Sequence, residues 1–397
     1  MKTILFVNVH FSPYLTGGGS IVAEHIAKGI EKSAQVILFS VRYGDAISLE
    51  EHTISDNIVS IVMTISKPSS YVSYHRNSIV AECVVRVCQK YSPDFVHFHS
   101  IQTMGIEMVQ SVKNLGIQCI VTVHDNWWLC ERQFLWHEDQ VFCGQLKRID
   151  QATCLYCTAN AFDMTARSEI LKGVYTSFDA VVHVSNYMRD LYENSGMIGN
   201  NVHVIENGVD VPRPVKPAPW KQTGIVYLGY LGGDAAHKGI DIVIDIAVRA
   251  PANCRFLVVS NMNGKYQLDS ILDNGFGDNR IEFIKSMEHS RIEEFYDIVD
   301  VIIAPSRVPE SYGLVVREAL IRDKWVLTSS GGAQADAVID GVNGNKFDTF
   351  AVDMETAHSH VSTISTVDWS AYSNPHKDSI PTWETQVGKY IDLYASI

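Results

Sequence analysis

At 397 residues, with 46% hydrophobic and 19% charged side chains, the chain is too long for one ordinary core and too apolar for a disordered one, so two packed domains are expected. A net charge of −13 argues against a general nucleic-acid binder, and the deficit is shared, with 15 Lys+Arg against 21 Asp+Glu up to residue 210 and 17 against 24 beyond it. MKTILFVNVH turns polar too soon for a signal peptide and no apolar run is long enough to span a bilayer, so a cytoplasmic location is expected, with peripheral contact at the inner face of a membrane left to a small local patch.

The first half alternates strand and helix patterns. TILFVNV, QVILFSV, FVHFHS, CIVTVHD and AVVHVS read as buried strands, and IVAEHIAKGIEK, SIVAECVVRVCQKY and GIEMVQSVKNLG carry apolar spacing near 3.6. That order predicts a parallel sheet covered on both faces, with ligands beyond the carboxyl ends of its strands. After the first strand, Gly17, Gly18 and Gly19 lead into a helix. Bare glycines let an anionic group such as a diphosphate approach the helix's unsatisfied N–H groups. The plainer reading is a flexible surface turn, and the loop matches neither a Walker A nor a Gly-x-Gly-x-x-Gly pattern. His124, at the end of VTVHD, is placed to orient substrate or assist proton transfer, or is a satisfied buried histidine. His97 and His99 share that ambiguity on one face of the preceding strand.

Four of the eight cysteines crowd into one stretch: Cys130, Cys143, Cys154 and Cys157. In a cytosolic protein, one Cys-x-x-Cys pair with two further thiolates suits a structural zinc staple. The alternative is four small apolar side chains packing a subdomain.

The proline-rich NGVDVPRPVKPAPWKQTG reads as a linker, and GIVYLGYL, CRFLVVS, IEFIK, VDVIIAPS and WVLTSS form a second strand series. Two Rossmann-like domains are therefore expected, residues 1–211 and 212–380. The amphipathic tail 381–397 is free to return to the first domain. Within GYLGGDAAHKG, Gly232 and Gly233 loosen the loop and Lys238 supplies a point charge for phosphate oxygens.

ESYGLVVRE follows the strand VDVIIAPS. Glu310 lies in the loop, a helix begins near Gly313, and Glu318 falls roughly 7 to 8 Å along its axis. A helix N-terminus at Gly313 and Leu314 favours a diphosphate, with one carboxylate reaching the group on each side. Carboxylates pair well with vicinal sugar hydroxyls, so the layout suits hexose, diphosphate and ribose. Two unrelated surface glutamates are the competing reading.

Taken in order, the Gly-rich first loop, VHD, VSNYM, ENGVD, HKG and the E-x7-E pair Glu310/Glu318 resemble the GT-B retaining glycosyltransferases, family four in particular, over nearly the whole chain. The resemblance implies two domains whose parallel sheets face across a cleft, an N-terminal acceptor domain with a C-terminal return helix, and a C-terminal domain for the nucleotide-sugar donor. It implies Glu310 at the donor hexose, Glu318 at the ribose, Lys238, Gly18 and Gly19 near the diphosphate, and His124 near the transferred sugar. It also implies the base near residues 283 to 287. Members usually carry an arginine where Gly233 stands, leaving Arg307, Arg317 or Lys238 with the helix ends to take its place. No Asp-x-Asp pair occurs, which disfavours a metal-dependent GT-A enzyme.

The expected activity is therefore transfer of a hexosyl unit from a nucleotide-diphosphate sugar to a saccharide or lipid-linked saccharide hydroxyl, with retention and without a catalytic cofactor. The alternatives are a silent sugar- or nucleotide-binding GT-B module and a nucleotide-sugar epimerase or sugar phosphorylase.

Overall fold

The computed structural model describes residues 1–66, 76–154, 157, 161–216, 218–277, 279–350 and 354–397. The chain divides into two compact units. Met1–Phe134, Lys147–Gly208 and Thr382–Ile397 form one; Leu135–Leu146 and Val209–Pro381 form the other.

In the first unit the strands are β1 (Lys2–Val7), β2 (Ala34–Tyr43), β3 (Ser48–Ser55), β4 (Ile58–Ile65), β5 (Phe95–Phe98), β6 (Gln118–Val123), β7 (Ala180–His183) and β8 (Val202–Val204). They lie in the order β3-β4-β2-β1-β5-β6-β7-β8. Every neighbouring pair is parallel except β3 with β4. The sheet grows outward from β1 in both directions, so the loop after β1 sits at a topological switch point. It leads into the helix Gly18–Ile30, which buries Val22, Ala23, Ile26, Ala27 and Ile30 at helical spacing.

The β3–β4 hairpin and the short β8 are absent from the strand pattern read in the sequence. In β3, SLEEHTIS is polar and half exposed because it is an antiparallel edge strand, so it lacks the apolar run of a buried parallel one.

The C-terminal helix Trp383–Ser396 belongs to this first unit. Thr382 caps it by accepting from the Thr385 N–H. The Tyr394 hydroxyl meets His97 Nδ1 at 2.6 Å, and the Tyr390 hydroxyl meets Thr122 Oγ1 at 2.9 Å. Gly208 lies so close to the helix start that a Cβ there would stand 2.5 Å from the Thr382 carbonyl. Gly208→Ala is expected to cost about 2 kcal/mol through that overlap; a thermal or urea unfolding curve reads it.

The second unit holds β9 (Val226–Tyr230), β10 (Cys254–Val259), β11 (Ile281–Ile284), β12 (Val301–Ala304), β13 (Trp325–Ser329) and β14 (Gly344–Phe347), all parallel in the order β11-β10-β9-β12-β13-β14. Strands β10, β12 and β13 are apolar on both faces. Phe256, Val258, Ile303 and Leu327 enter one core cluster; their alternates Leu257, Ile302 and Val326 enter the other. The short edge strand β14, GNKF, escaped the sequence pattern because only its last residue is a large apolar one.

Chain order places residues 135–146 in the first domain, whereas they group with the second unit. The Phe142 ring lies 4.6 Å from that of Phe350, and Leu146 packs beside Gly331.

Candidate functional site

In the second unit, β9 and β12 are neighbours, and the loops after them converge. Ala236–Lys238 forms a single 3-10 turn that ends at Gly239, φ 78°, ahead of the helix Ile240–Arg249. Any Cβ on Gly239 would overlap the Pro305 carbonyl, so glycine lets this turn press against the loop after β12. Lys238 Nζ thereby reaches Glu310 Oε1 at 2.6 Å. Burial pushes the Glu310 carboxyl up, but Lys238, with Ser306 and His237 adding to it, outweighs that, so the group ends below its ordinary value. A depressed carboxylate lends stability above its unfolded pKa, and that stability is lost as pH falls through the folded value, below 4.5.

The backbone of Glu310 is clamped from a different loop. Its N–H donates to Gln334 Oε1 at 2.9 Å, and its carbonyl accepts from the Ala333 N–H at 2.9 Å. Gln334 is buried and is held in turn by Ser329 Oγ at 3.0 Å. Gly332 allows the approach, because a Cβ there would lie 2.5 Å from the Glu310 nitrogen.

Gly313, with φ 79° and ψ 63°, is the N-cap of the helix Leu314–Ile321 and no side chain bonds back to that helix end. The N-terminal N–H groups therefore carry the partial positive charge of an uncapped helix, beside the Lys238–Glu310 pair. Glu318 lies on the buried side of the same helix and accepts from the Tyr296 hydroxyl at 3.2 Å. Desolvation raises its carboxyl above the ordinary value, against the pull of nearby His289 and Arg322. His289 itself is raised by its contact with Asp210, 3.1 Å away.

The expected replacements for the missing arginine behave differently. Arg317 is buried, spends its guanidinium on the Tyr312 and Ala333 carbonyls, and lies 3.7 Å over the Tyr312 ring. It fastens the Glu310 loop to the loop after β13, which corrects its reading as a phosphate ligand. Arg307 is paired with Asp241 at the surface. At Gly233, φ is +69° with open space around the Cβ position, so a side chain has room while the backbone favours glycine.

In the first unit, the helix Gly18–Ile30 starts after Gly17, φ 86°, again with no side-chain cap. Gly19 packs on His124, since a Cβ there would be 3.3 Å from that of the histidine. His124 follows β6 and is half-buried, and desolvation pushes it down to about 4, which leaves the imidazole neutral at pH 7. Its Nε2 lies 2.9 Å from His99 Nδ1. Segment 283–287 begins on β11; the Ser286 N–H is taken by Asn261 Oδ1 at 2.9 Å.

The sequence matches the family model for Glycosyltransferase Family 4 over residues 16–213 and that for Glycosyl transferases group 1 over residues 216–364. The chain is a GT-B glycosyltransferase. Structurally the transferase resembles sucrose-phosphate synthase from Thermosynechococcus elongatus, with TM-score 0.69 and 16% identity over 100% of this chain and 99% of that one. It also resembles Anabaena HepE in complex with UDP and glucose, with TM-score 0.66 and 16% identity over 100% of both chains. By sequence it is 23% identical to an uncharacterized 42.6 kDa protein in the cps region of Klebsiella pneumoniae, over 83% of this chain and 85% of that protein. The transferase is also 25% identical to a D-inositol 3-phosphate glycosyltransferase of Xylanimonas cellulosilytica, over 39% of this chain and 41% of that protein.

The fold thus brings Lys238, Glu310, Gly313 and Leu314 together, with Glu318 a turn further along the helix, and it groups Gly18, Gly19 and His124 separately in the first unit. Sequence reading missed Gln334, Gly332, Tyr296 and the His289–Asp210 pair. For the first two the signal was present: SGGAQ places two glycines at the carboxyl end of β13, as GG does after β9. The cysteine cluster finds no support as a zinc centre. Cys130 and Cys154 are buried, Cys143 and Cys157 partly so, and among the described residues no group of three or more His, Cys, Asp or Glu side chains could hold a metal ion. No helix among the described residues is long and apolar enough to cross a membrane.

Proposed function

We propose that the protein moves a hexosyl unit, with retention of configuration, from a nucleotide-diphosphate sugar to a hydroxyl of a glycan or lipid-linked saccharide in polysaccharide or glycoconjugate synthesis. The observation that carries this reading is the Lys238–Glu310 pair beside the uncapped Gly313 helix start, with Glu318 on the same helix. A cation, a helix N-terminus and two flanking carboxylates match a diphosphate between two sugars. That HepE is seen with UDP and glucose supports a UDP-type donor.

In this reading, Glu310 binds hexose hydroxyls and Glu318 the ribose, with the base near residues 283 to 287. Bond cleavage builds positive charge on the sugar, in an oxocarbenium-like transition state, and negative charge on the leaving diphosphate. Lys238 and the N–H groups of Gly313 and Leu314 stabilise that negative charge. Gly18 and Gly19 offer a second uncapped helix start. Glu310 needs no covalent bond to the sugar, because the departing phosphate takes the acceptor proton on the face where the acceptor attacks. His124 acts on the transferred sugar. With no Asp-x-Asp pair in the chain, charge neutralisation is assigned to these groups rather than to a metal ion.

Glu318 carries a cost. An acid whose folded pKa is raised destabilises the fold when ionised, and the cost is relieved as pH falls through that value. Glu318→Gln is expected to raise the thermal midpoint of the ligand-free protein at pH 7 and to weaken donor binding about tenfold. Melting curves with and without donor read both effects. Incubation with a panel of nucleotide sugars and saccharide acceptors tests the transferase itself. Release of nucleoside diphosphate with one donor is expected; binding without release would favour a silent module instead.

A further inference from the structure

Three histidines of the first unit, two of them buried and His124 half-buried, form a cluster that the sequence left ambiguous. His97 and His99 are almost fully buried, and their rings lie 4.1 Å apart. Burial holds both imidazoles well below their ordinary pKa, and His124 with them, so each is neutral and carries one ring proton. His97 is satisfied at both nitrogens, by Tyr394 and by Thr122. His99 is satisfied at one: Nδ1 faces His124 Nε2 at 2.9 Å, while Nε2 has no hydrogen-bond partner among the described residues.

That orphan atom decides where the proton sits. If His124 Nε2–H donated, His99 would be the acceptor at Nδ1 and its own proton would occupy Nε2 as a buried, unpartnered N–H. Orphaned buried donors are rarer than under-used acceptors, and each costs the loss of its hydration. The ring of His99 is stacked nearly flat on Phe6, with 12° between planes and 5.4 Å between centroids, so an in-plane N–H cannot turn toward the aromatic face. The opposite arrangement leaves only a bare nitrogen lone pair without a partner, the less costly of the two. His99 then donates from Nδ1, His124 accepts at Nε2, and the His124 proton moves to Nδ1. That nitrogen is bonded to the Cγ that would lie 3.4 Å from a Cβ on Gly19.

We propose that His99 is a positioning residue that locks His124 into the Nδ1–H tautomer, so that His124 meets the substrate as a neutral hydrogen-bond donor and not as a base. The tautomer stands on the first unit's geometry alone; its effect on rate rests on the transferase reading. A donor beside the uncapped helix start at Gly17 adds a second hydrogen-bond donor on the same side, suited to an electronegative oxygen of the sugar or its leaving group.

The test is nitrogen-15 NMR of histidine-labelled full-length protein, comparing wild type, His99→Asn and His99→Phe. An asparagine amide nitrogen replaces the Nδ1–H donor, whereas phenylalanine keeps the ring stack and loses the donor. Protonated Nδ1 and bare Nε2 are expected for His124 in wild type and His99→Asn, with reversal or mixing in His99→Phe. In transfer assays, His99→Phe should lose about tenfold in kcat with donor KM within about twofold, and His99→Asn should recover most of the rate. A purely packing role predicts the opposite ranking, with phenylalanine the better substitute. Nε2–H on His124 in the wild-type protein overturns the proposal without any variant. The expected spectra with no turnover of any donor would keep the tautomer and overturn its catalytic role.

Discussion

Glu310→Ala is expected to lower kcat by about two to three orders of magnitude while the second unit stays folded. The two effects separate because side chain and backbone do different work at this position. The carboxylate faces Lys238 and, in the proposed reading, the sugar hydroxyls, where its bonds strengthen as charge develops on the ring. The backbone holds the loop, through Gln334 and the Ala333 N–H, and alanine keeps both of those bonds. The lost ion pair is partly exposed, at 34% and 22% for the lysine and glutamate side chains, so its share of stability is about 1 kcal/mol. Steady-state kinetics alongside a urea titration distinguish this from simple unfolding, which would lower the denaturation midpoint steeply.

Gly313→Ala should behave differently, losing stability and donor affinity together. At φ 79° an alanine costs about 1 to 2 kcal/mol in backbone strain. Its Cβ would also stand 2.5 Å from that of Gln334, the residue that holds the Glu310 N–H. Relief of the overlap displaces Gln334, so a total loss of about 3 kcal/mol is expected, with donor binding weakened about tenfold or more. Gly341→Ala is the control: φ is +74° there but nothing lies within 4 Å of the Cβ position. The difference between the two variants measures the contact with Gln334 apart from the strain.

The strands apolar on both faces, which make up most of the two sheets, were legible because their runs are continuous and bounded by glycine and polar residues. The edge strands β3 and β14 were not, since an edge strand can be polar without penalty; β4 is the exception, an apolar inner strand missed along with its hairpin partner. At the candidate site, the eight-residue step from Glu310 to Glu318 was readable as loop then helix, and Gly313 marked the joint. From sequence, Glu310 is assigned to sugar hydroxyls and Lys238 to phosphate oxygens, and neither is paired with the other. That Lys238 bonds Glu310 directly depends on Gly239 meeting the Pro305 carbonyl, a contact between distant segments that no local pattern encodes. Arg317 misled for the same reason: from sequence it is a cation near a diphosphate loop, and in the fold it is a buried brace between two loops. His99 looked interchangeable with His97 until the fold showed which ring nitrogen of each has a partner.

A crystal structure with an intact nucleotide sugar, or an unreactive fluoro-sugar analogue, tests the central claim most directly. The account predicts hexose hydroxyls at Glu310, phosphate oxygens at Lys238 and the Gly313–Leu314 N–H groups, and the ribose at Glu318. A donor bound elsewhere, with the Lys238–Glu310 pair intact and the Gly313 helix start untouched, would contradict it.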